Sequence, residues 1–315
     1  MQNPLNINHA SMPIPFAKMH GLGNDFIILM QKDLEMVGYS DSNKQFDVSA
    51  ELSQLALTLC DRHYGIGADG LIIVRDAERT DCDFSWLYIN SDGSHSLMCG
   101  NGLRSLALWA VETEFTHGHE FVIETGVGPV LVSVESQDEI TLELKEPVLE
   151  STLIPVSGPS RPQVIRESLH INGTEFKASC ISVGNPHCVI FNPPIDTKQY
   201  SQFAPKIQNL DFFPDGVNVE FVEVLSSNKA KVYVWERGCG PTLACASGAC
   251  AVLVAGVLEG RLDPTSEIVL PGGSLFITWS KEDRRIRLKG PARHVFSGIV
   301  DLSNVNAKAF PKAPK

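Results

Sequence analysis

Two short segments carry one chemistry-bearing pattern. Met98-Cys99-Gly100-Asn101-Gly102 is followed by an apolar run from Leu103 to Val111, and Ala244-Cys245-Ala246-Ser247-Gly248 by another from Ala249 to Leu258. The cysteines stand 146 residues apart (245 − 99). Each precedes a turn of small residues that opens a predicted helix. The first N–H groups of a helix lack intrahelical partners and carry partial positive charge. Such a terminus receives carboxylates and favours thiolate over thiol. A free thiol titrates near ~8.5, so around neutral pH one thiolate and one thiol can exchange the roles of base and acid. Two such turns addressing one carboxylate-bearing carbon would remove a proton from one face and return one to the other. The helix N-termini would stabilise the carbanion, and closure of two domains would exclude water.

The elements that must position these thiols repeat as well. Short β-rich runs are predicted at 26–30, 71–74, 84–89, 121–124, 130–134 and 140–144, then at 180–182, 188–191, 217–224, 231–235, 267–270, 275–279 and 285–289. Helices are fewer: 50–60, the two after the cysteine turns, and one near 200–208. Gly23-Asn24-Asp25-Phe26 precedes an apolar strand in the first half, and Gly184-Asn185-Pro186-His187 does so in the second. VIETGVGPVLVSV then ITLELKEP follow the first cysteine helix, and IVLPGGSLFITW then IRLKGPA follow the second. The expectation is an α+β protein made of a duplicated domain, hinged near 143–153, with the cysteine turns opposed in a cleft between the copies.

Composition narrows the class. The chain has 315 residues, is 43% hydrophobic and carries a formal net charge of −11. An acidic chain without a basic block is a poor partner for nucleic acid or anionic membrane. No apolar run approaches the ~18 residues of a membrane span, and the first residues lack the n- and h-regions of a signal peptide. Residues 1–11 and 304–315 read as flexible tails. Eight cysteines in so core-rich a chain read as free thiols of a reducing, cytoplasmic compartment. Their spacing contains no paired CxxC, so no metal is expected. Cys60, Cys82 and Cys180 read as small core residues, as do Cys188 and Cys250; Cys239 is ambiguous. No GxGxxG after a strand and no GxxxxGK[ST] occurs, and no cofactor is expected.

The chain resembles the diaminopimelate epimerase family. The resemblance rests on residues 16–26 (FAKMHGLGNDF), 65–70 (GIGADG), 90–94 (NSDGS), 98–102 (MCGNG), 184–189 (GNPHCV), 218–221 (NVEF), 236–238 (ERG) and 242–245 (TLAC), together with Pro271-Gly272-Gly273 and Gly290-Pro291-Ala292. It implies that Cys99 and Cys245 are the acid/base pair of a cofactor-independent enzyme interconverting LL- and meso-diaminopimelate, a step toward lysine. It implies that the backbone N–H groups of Gly100-Asn101 and Ala246-Ser247 receive the reacting carboxylate. Asn24, Asn90, Asn185, Asn218 and Arg237 would recognise the rest of the substrate, with Arg237 suited to a distal carboxylate. His187 and Glu236 would tune the cysteines, and Glu236 would also line the substrate.

The fold implied is two similar domains, each a β-barrel-like sheet around a central helix. One would comprise residues 12–144 with a returning C-terminal strand at 290–303, the other residues 145–289. A homodimer is implied. Three positions depart from the common pattern: Ala246 stands where Gly is usual, Gly70 where some members carry Gln, and Phe296 where some carry Tyr. The competing readings are a racemase of another amino acid and a thiol redox or binding protein.

Overall fold

The computed structural model describes residues 13–39, 48–193, 195–280, 282 and 284–302; the segments 1–11 and 304–315 read above as tails lie outside them. The chain divides into two compact units, one taking residues up to Gln137 and again from Ala292, the other Asp138–Pro291. In the first lie β1 (Pro13–Gly21), β2 (Asn24–Met30), α1 (Gln31–Met36), α2 (Ala50–Leu59), β3 (Gly70–Arg75), β4 (Phe84–Asn90), α3 (Gly100–Glu112), β5 (Glu120–Thr125) and β6 (Gly128–Val134). The second holds β7 (Ile140–Leu144), β8 (Val164–Ile171), β9 (Thr174–Ser182), β10 (Pro186–Phe191), α4 (Tyr200–Gln208), β11 (Asn218–Ser226), β12 (Lys229–Glu236), β13 (Gly240–Pro241), α5 (Ala246–Leu258), β14 (Thr265–Leu270), β15 (Gly273–Trp279) and β16 (Ile286–Gly290). β17 (Arg293–Asp301) returns to the first.

Strand pairing displays the duplication that the motifs announce. From β17 through β1, β2, β3, β4 and β5 to β6, successive pairs are antiparallel, antiparallel, parallel, antiparallel, parallel and antiparallel. The series β8, β9, β10, β11, β12, β14 and β15 repeats that order of directions. The second sheet continues through β16 to β7. Thus residues 140–144, which sequence order groups with the first copy, satisfy their ladder against Ile286–Gly290.

Each sheet curls around one helix. α3 touches β17, β1 and β2 at one end of its strand order and β6 at the other; α5 touches β9 to β11 and also β14 to β16. A helix so enclosed is buried all round: α5 over Gly248–Gly256, apolar or small throughout, and α3 over Asn101–Leu108, which also buries Asn101, Arg104 and Ser105. The outer face of the first sheet is covered by α1 and α2, whose Leu34, Leu52, Leu55 and Leu59 pack on Ile27, Leu29, Leu71 and Ile73. On the second, Phe203 and Ile207 of α4 pack on Phe176 and Phe221. Strands covered on both faces need no polar alternation, which is why FIIL and LIIV are continuously apolar.

Candidate active site

Both cysteines are helix N-caps. Cys99 has φ −148° and ψ 108°, Cys245 has φ −119° and ψ 107°, and each Sγ accepts the N–H three residues on, from Gly102 and Gly248, at 3.4 Å. An N-cap ordinarily satisfies such an orphan donor with an oxygen; here sulfur does so, and its lone pair faces the positive end of the helix. Gly100 opens α3, and Ala246 opens α5 within a buried turn. Ser247 Oγ lies 3.5 Å from Cys245 Sγ.

The two surroundings differ. Asn90 and Glu236 each stand nine residues before their cysteine (99 − 90 and 245 − 236), so an amide occupies in the first copy the position that a carboxylate takes in the second. Cys245 is buried, and burial, with the charges of Glu236 and Glu220, pushes its thiol well above the ordinary range. Burial likewise raises Glu236, whose Oε1 accepts from Thr242 Oγ1 at 2.6 Å. Cys99 is only half-buried, and its Sγ lies 4.0 Å from Asn24 Oδ1.

In the first unit the predicted residues sit at strand and helix ends. Leu22 and Gly23 both have positive φ, 56° and 86°, as a tight hairpin between β1 and β2 requires, and the strand that follows opens on Asn24. Asn24 Nδ2 donates to Asp69 at 2.9 Å, and its Oδ1 accepts from Asn101 Nδ2 at 3.1 Å. Asn90, closing β4, donates to Ser94 Oγ at 3.0 Å. Gly70 abuts Tyr88, and a Cβ there would come 2.4 Å from its ring, so this site has no room for the Gln of some relatives.

In the second unit Asn185 Oδ1 lies 2.9 Å from His187 Nε2, and His187 Nδ1 lies 2.7 Å from Glu220 Oε1. Asn218 is buried and its Oδ1 accepts the Arg237 backbone N–H at 2.8 Å. Arg237 is exposed, and its Nη1 donates to the Asp215 carbonyl at 2.7 Å. Glu236 and Arg237 therefore present one carboxylate and one guanidinium in sequence neighbours leaving β12.

Sequence reasoning missed the groups behind these residues. Asp25 receives both Nη of Arg62 at 2.7 and 3.0 Å and Lys18 Nζ at 2.7 Å. Burial opposes its charge, but Arg62 and Lys18 hold its carboxyl well below the usual range. Lys18 and Asp25 stand inside a segment that the resemblance quotes, yet nothing in their spacing shows that they meet Arg62 and Asp69. Glu220 and Arg104, both fully buried, were equally unmarked; a charged residue inside an otherwise apolar element was their available signal. One core expectation is corrected: Cys82 is half-exposed, because it lies in the turn before β4, not in the strand. Cys239 is exposed.

The diaminopimelate epimerase family model matches residues 16–149 and 179–295. The chain is 39% identical over 296 residues to the diaminopimelate epimerase of Microcystis aeruginosa, covering 92% of this chain and 100% of that protein. It is 41% identical over 283 residues to that of Carboxydothermus hydrogenoformans, covering 90% and 98%. Among solved structures, a hydroxyproline epimerase from Agrobacterium vitis with bound trans-4-OH-L-proline shares the fold, with a TM-score of 0.69 at 12% identity over 93% of this chain and 94% of that one.

Proposed function

The chain belongs to the diaminopimelate epimerase family, and from that premise we propose that it interconverts LL- and meso-2,6-diaminopimelate, with Cys99 and Cys245 as alternating base and acid. The observation that carries this reading is the matched pair of cysteine N-caps, one in each unit, each with sulfur on its own helix terminus at 3.4 Å. One thiolate takes the α-proton and the other thiol delivers a proton to the opposite face, so the pair ends with its protonation exchanged. The N–H groups of Gly100-Asn101 and Ala246-Ser247 hold the reacting carboxylate and spread the carbanion's charge. Asn24, Asn90, Asn185 and Asn218 supply polar contacts, and Arg237 takes the distal carboxylate. His187 and Glu236 set the protonation of the second thiol's surroundings.

The raised thiol of Cys245 supports a resting state in which that cysteine carries the proton. It then acts first as acid, and Cys99 as base. The test is α-proton exchange in D2O under reducing conditions without added cofactor, for LL-diaminopimelate, glutamate, histidine and proline. Deuterium entering diaminopimelate alone, with epimerisation abolished by Cys99→Ala and by Cys245→Ala, is the expected result. Exchange into a different amino acid would replace the substrate, and no exchange would favour the redox or binding reading.

The protein is also proposed to act in the cytoplasm as a homodimer. Supporting the dimer, Val295, Phe296 and Ile299 project apolar side chains from β17 at 53%, 46% and 71% exposure. Phe296 packs edge-on against Phe16 with centroids 5.8 Å apart. Sedimentation of the Phe296→Asp variant as a monomer, against a dimeric parent, tests it. Among the described residues no helix is long and apolar enough to cross a membrane.

A further inference from the structure

Arg104 lies in the first turns of α3 with no solvent-exposed surface. Its Nη2 donates to Asn101 Oδ1 at 2.7 Å, and its Nη1 to the Gly100 carbonyl at 3.2 Å. Asn101 Nδ2 donates to Asn24 Oδ1 at 3.1 Å, and Asn24 Nδ2 donates to Asp69 Oδ2 at 2.9 Å. These bonds form one file from a guanidinium to a carboxylate through two carboxamides. Asp69 is itself fixed, by Arg62 Nη2 at 2.8 Å and by the Asp25 N–H at 3.1 Å.

A lone carboxamide can turn end for end at little steric cost. This file cannot, because its ends have fixed polarity: a guanidinium has only donors and a carboxylate only acceptors. Turning Asn24 would set its oxygen against the Asp69 carboxylate and its NH2 against that of Asn101. Turning Asn101 would set its NH2 against the guanidinium. At Asn101 and Arg104 a mismatch leaves buried polar groups unpaired, and at the half-exposed Asp69 it sets an amide oxygen against a carboxylate. The consequence reaches the thiol, since Asn24 Oδ1 is the atom 4.0 Å from Cys99 Sγ. An acceptor there receives the S–H, while the Gly102 N–H meets the sulfur lone pair at 3.4 Å. An NH2 in its place would favour thiolate.

We propose that Arg104 and Asp69 are positioning residues for Cys99: they fix from both ends which atom of each intervening carboxamide is turned toward the thiol. The functional weight of this rests on the reading of Cys99 as an acid/base group, but the geometry can be tested without it. In the full-length protein, Asp69→Asn removes the acceptor-only end. Added to it, Arg104→Lys keeps a donor-only end, whereas Arg104→Gln offers donor or acceptor and releases both amides. Alkylation of Cys99 by iodoacetamide at fixed neutral pH is followed by mass spectrometry of its peptide, with exposed Cys239 as the internal reference.

The Asp69→Asn/Arg104→Gln protein should react at Cys99 at least fivefold faster than Asp69→Asn/Arg104→Lys. Equal rates would overturn the proposal, because both variants lose the guanidinium and any packing role with it. Should the double variants not fold, the single Arg104→Gln protein is followed by hydrogen exchange of the Asn101 side-chain NH2, which Asp69 still fixes through Asn24. Protection kept at the parent's level supports the file; its loss refutes it. Retained epimerisation in Cys99→Ala would instead overturn the proposed function and leave the alkylation result standing.

Discussion

His187 Nδ1 and Glu220 Oε1 lie 2.7 Å apart with neither side chain reached by solvent. The parallel pairing of β10 with β11 places them on adjacent strands, His187 opposite Asn218 and Glu220 opposite Val189. On one side Asn185 Oδ1 lies 2.9 Å from His187 Nε2, and on the other a Cβ at Gly248 of α5 would come 2.8 Å from Glu220 Oε1. Removing one partner of a buried hydrogen bond leaves the other unsatisfied, at a cost of ~1–3 kcal/mol. Glu220→Ala should lose about that much in urea unfolding, and Glu220→Gln, which keeps a hydrogen-bonding group, clearly less. A loss below ~1 kcal/mol in Glu220→Ala would show that the pair is not a structural tie.

Buried thiols make the protein sensitive to alkali. Burial pushes Cys60 up to about 12. Cys188 is raised by its contact with Cys180 and by burial, and Cys245 by burial with the carboxylates around it. Below ~8.5, the ordinary thiol value, folded and unfolded chains both hold these protons. Above it the unfolded chain releases them and the folded chain does not, so stability falls as pH rises. Urea midpoints should hold from pH 7 to about 8.5 and then decline, and Cys60→Ala should shallow that decline. An unchanged slope in the variant would contradict this assignment.

Glu236 is a source of negative charge beside Cys245, second to burial. Glu236→Gln removes that charge, which lowers the thiol's pKa and enriches thiolate at any pH near neutral. Alkylation of Cys245 should therefore be several-fold faster in Glu236→Gln than in the parent at pH 8. A slower reaction would mean that the carboxylate acts on Cys245 as a proton acceptor more than as a repelling charge.

Arg237 is the cation proposed to take the distal carboxylate. Losing a charge-assisted hydrogen bond costs ~1.5–3 kcal/mol, so Arg237→Ala should lower kcat/KM for LL-diaminopimelate about 10- to 100-fold. Arg237→Lys should recover only part of it, because an ammonium cannot make the paired contact of a guanidinium. An unchanged kcat/KM would remove Arg237 from substrate recognition.

Gly248 has no room for a methyl group. A Cβ there would come 2.8 Å from Glu220 Oε1 and 3.3 Å from Cys245 Sγ. Gly248→Ala should destabilise by ~1–3 kcal/mol, as overpacking does, and should also depress epimerisation by displacing the thiol. A calorimetric Tm equal to the parent's would show that the buried carboxylate moves aside freely.

The features legible in the residues alone are local or repeated. The cysteine turns, the glycines and small residues that open each helix, and the apolar runs of both halves are written in spacings of a few residues. Backbone sterics and burial act at that range, so α3, α5 and most strands were legible. β1 was not, because Pro13 and Pro15 argue against a strand. They are tolerated since β2 pairs only from Ala17 onward, leaving β17 as the partner of the proline-bearing end. β8 was hidden by its charged residues and the positive φ of Arg166, 55°.

Which polar groups meet is set by contacts between distant segments. Asn24, Asp69, Asn101 and Arg104 are joined by hydrogen bonds across 80 residues of chain (104 − 24), and His187 by one to Glu220. No periodicity encodes such meetings, because a side chain's partner is set by sheet pairing and helix docking between distant segments. The same holds for the surroundings of Cys245: its motif matches that of Cys99, and it is burial, with the charges of Glu236 and Glu220, that raises its thiol above the ordinary range.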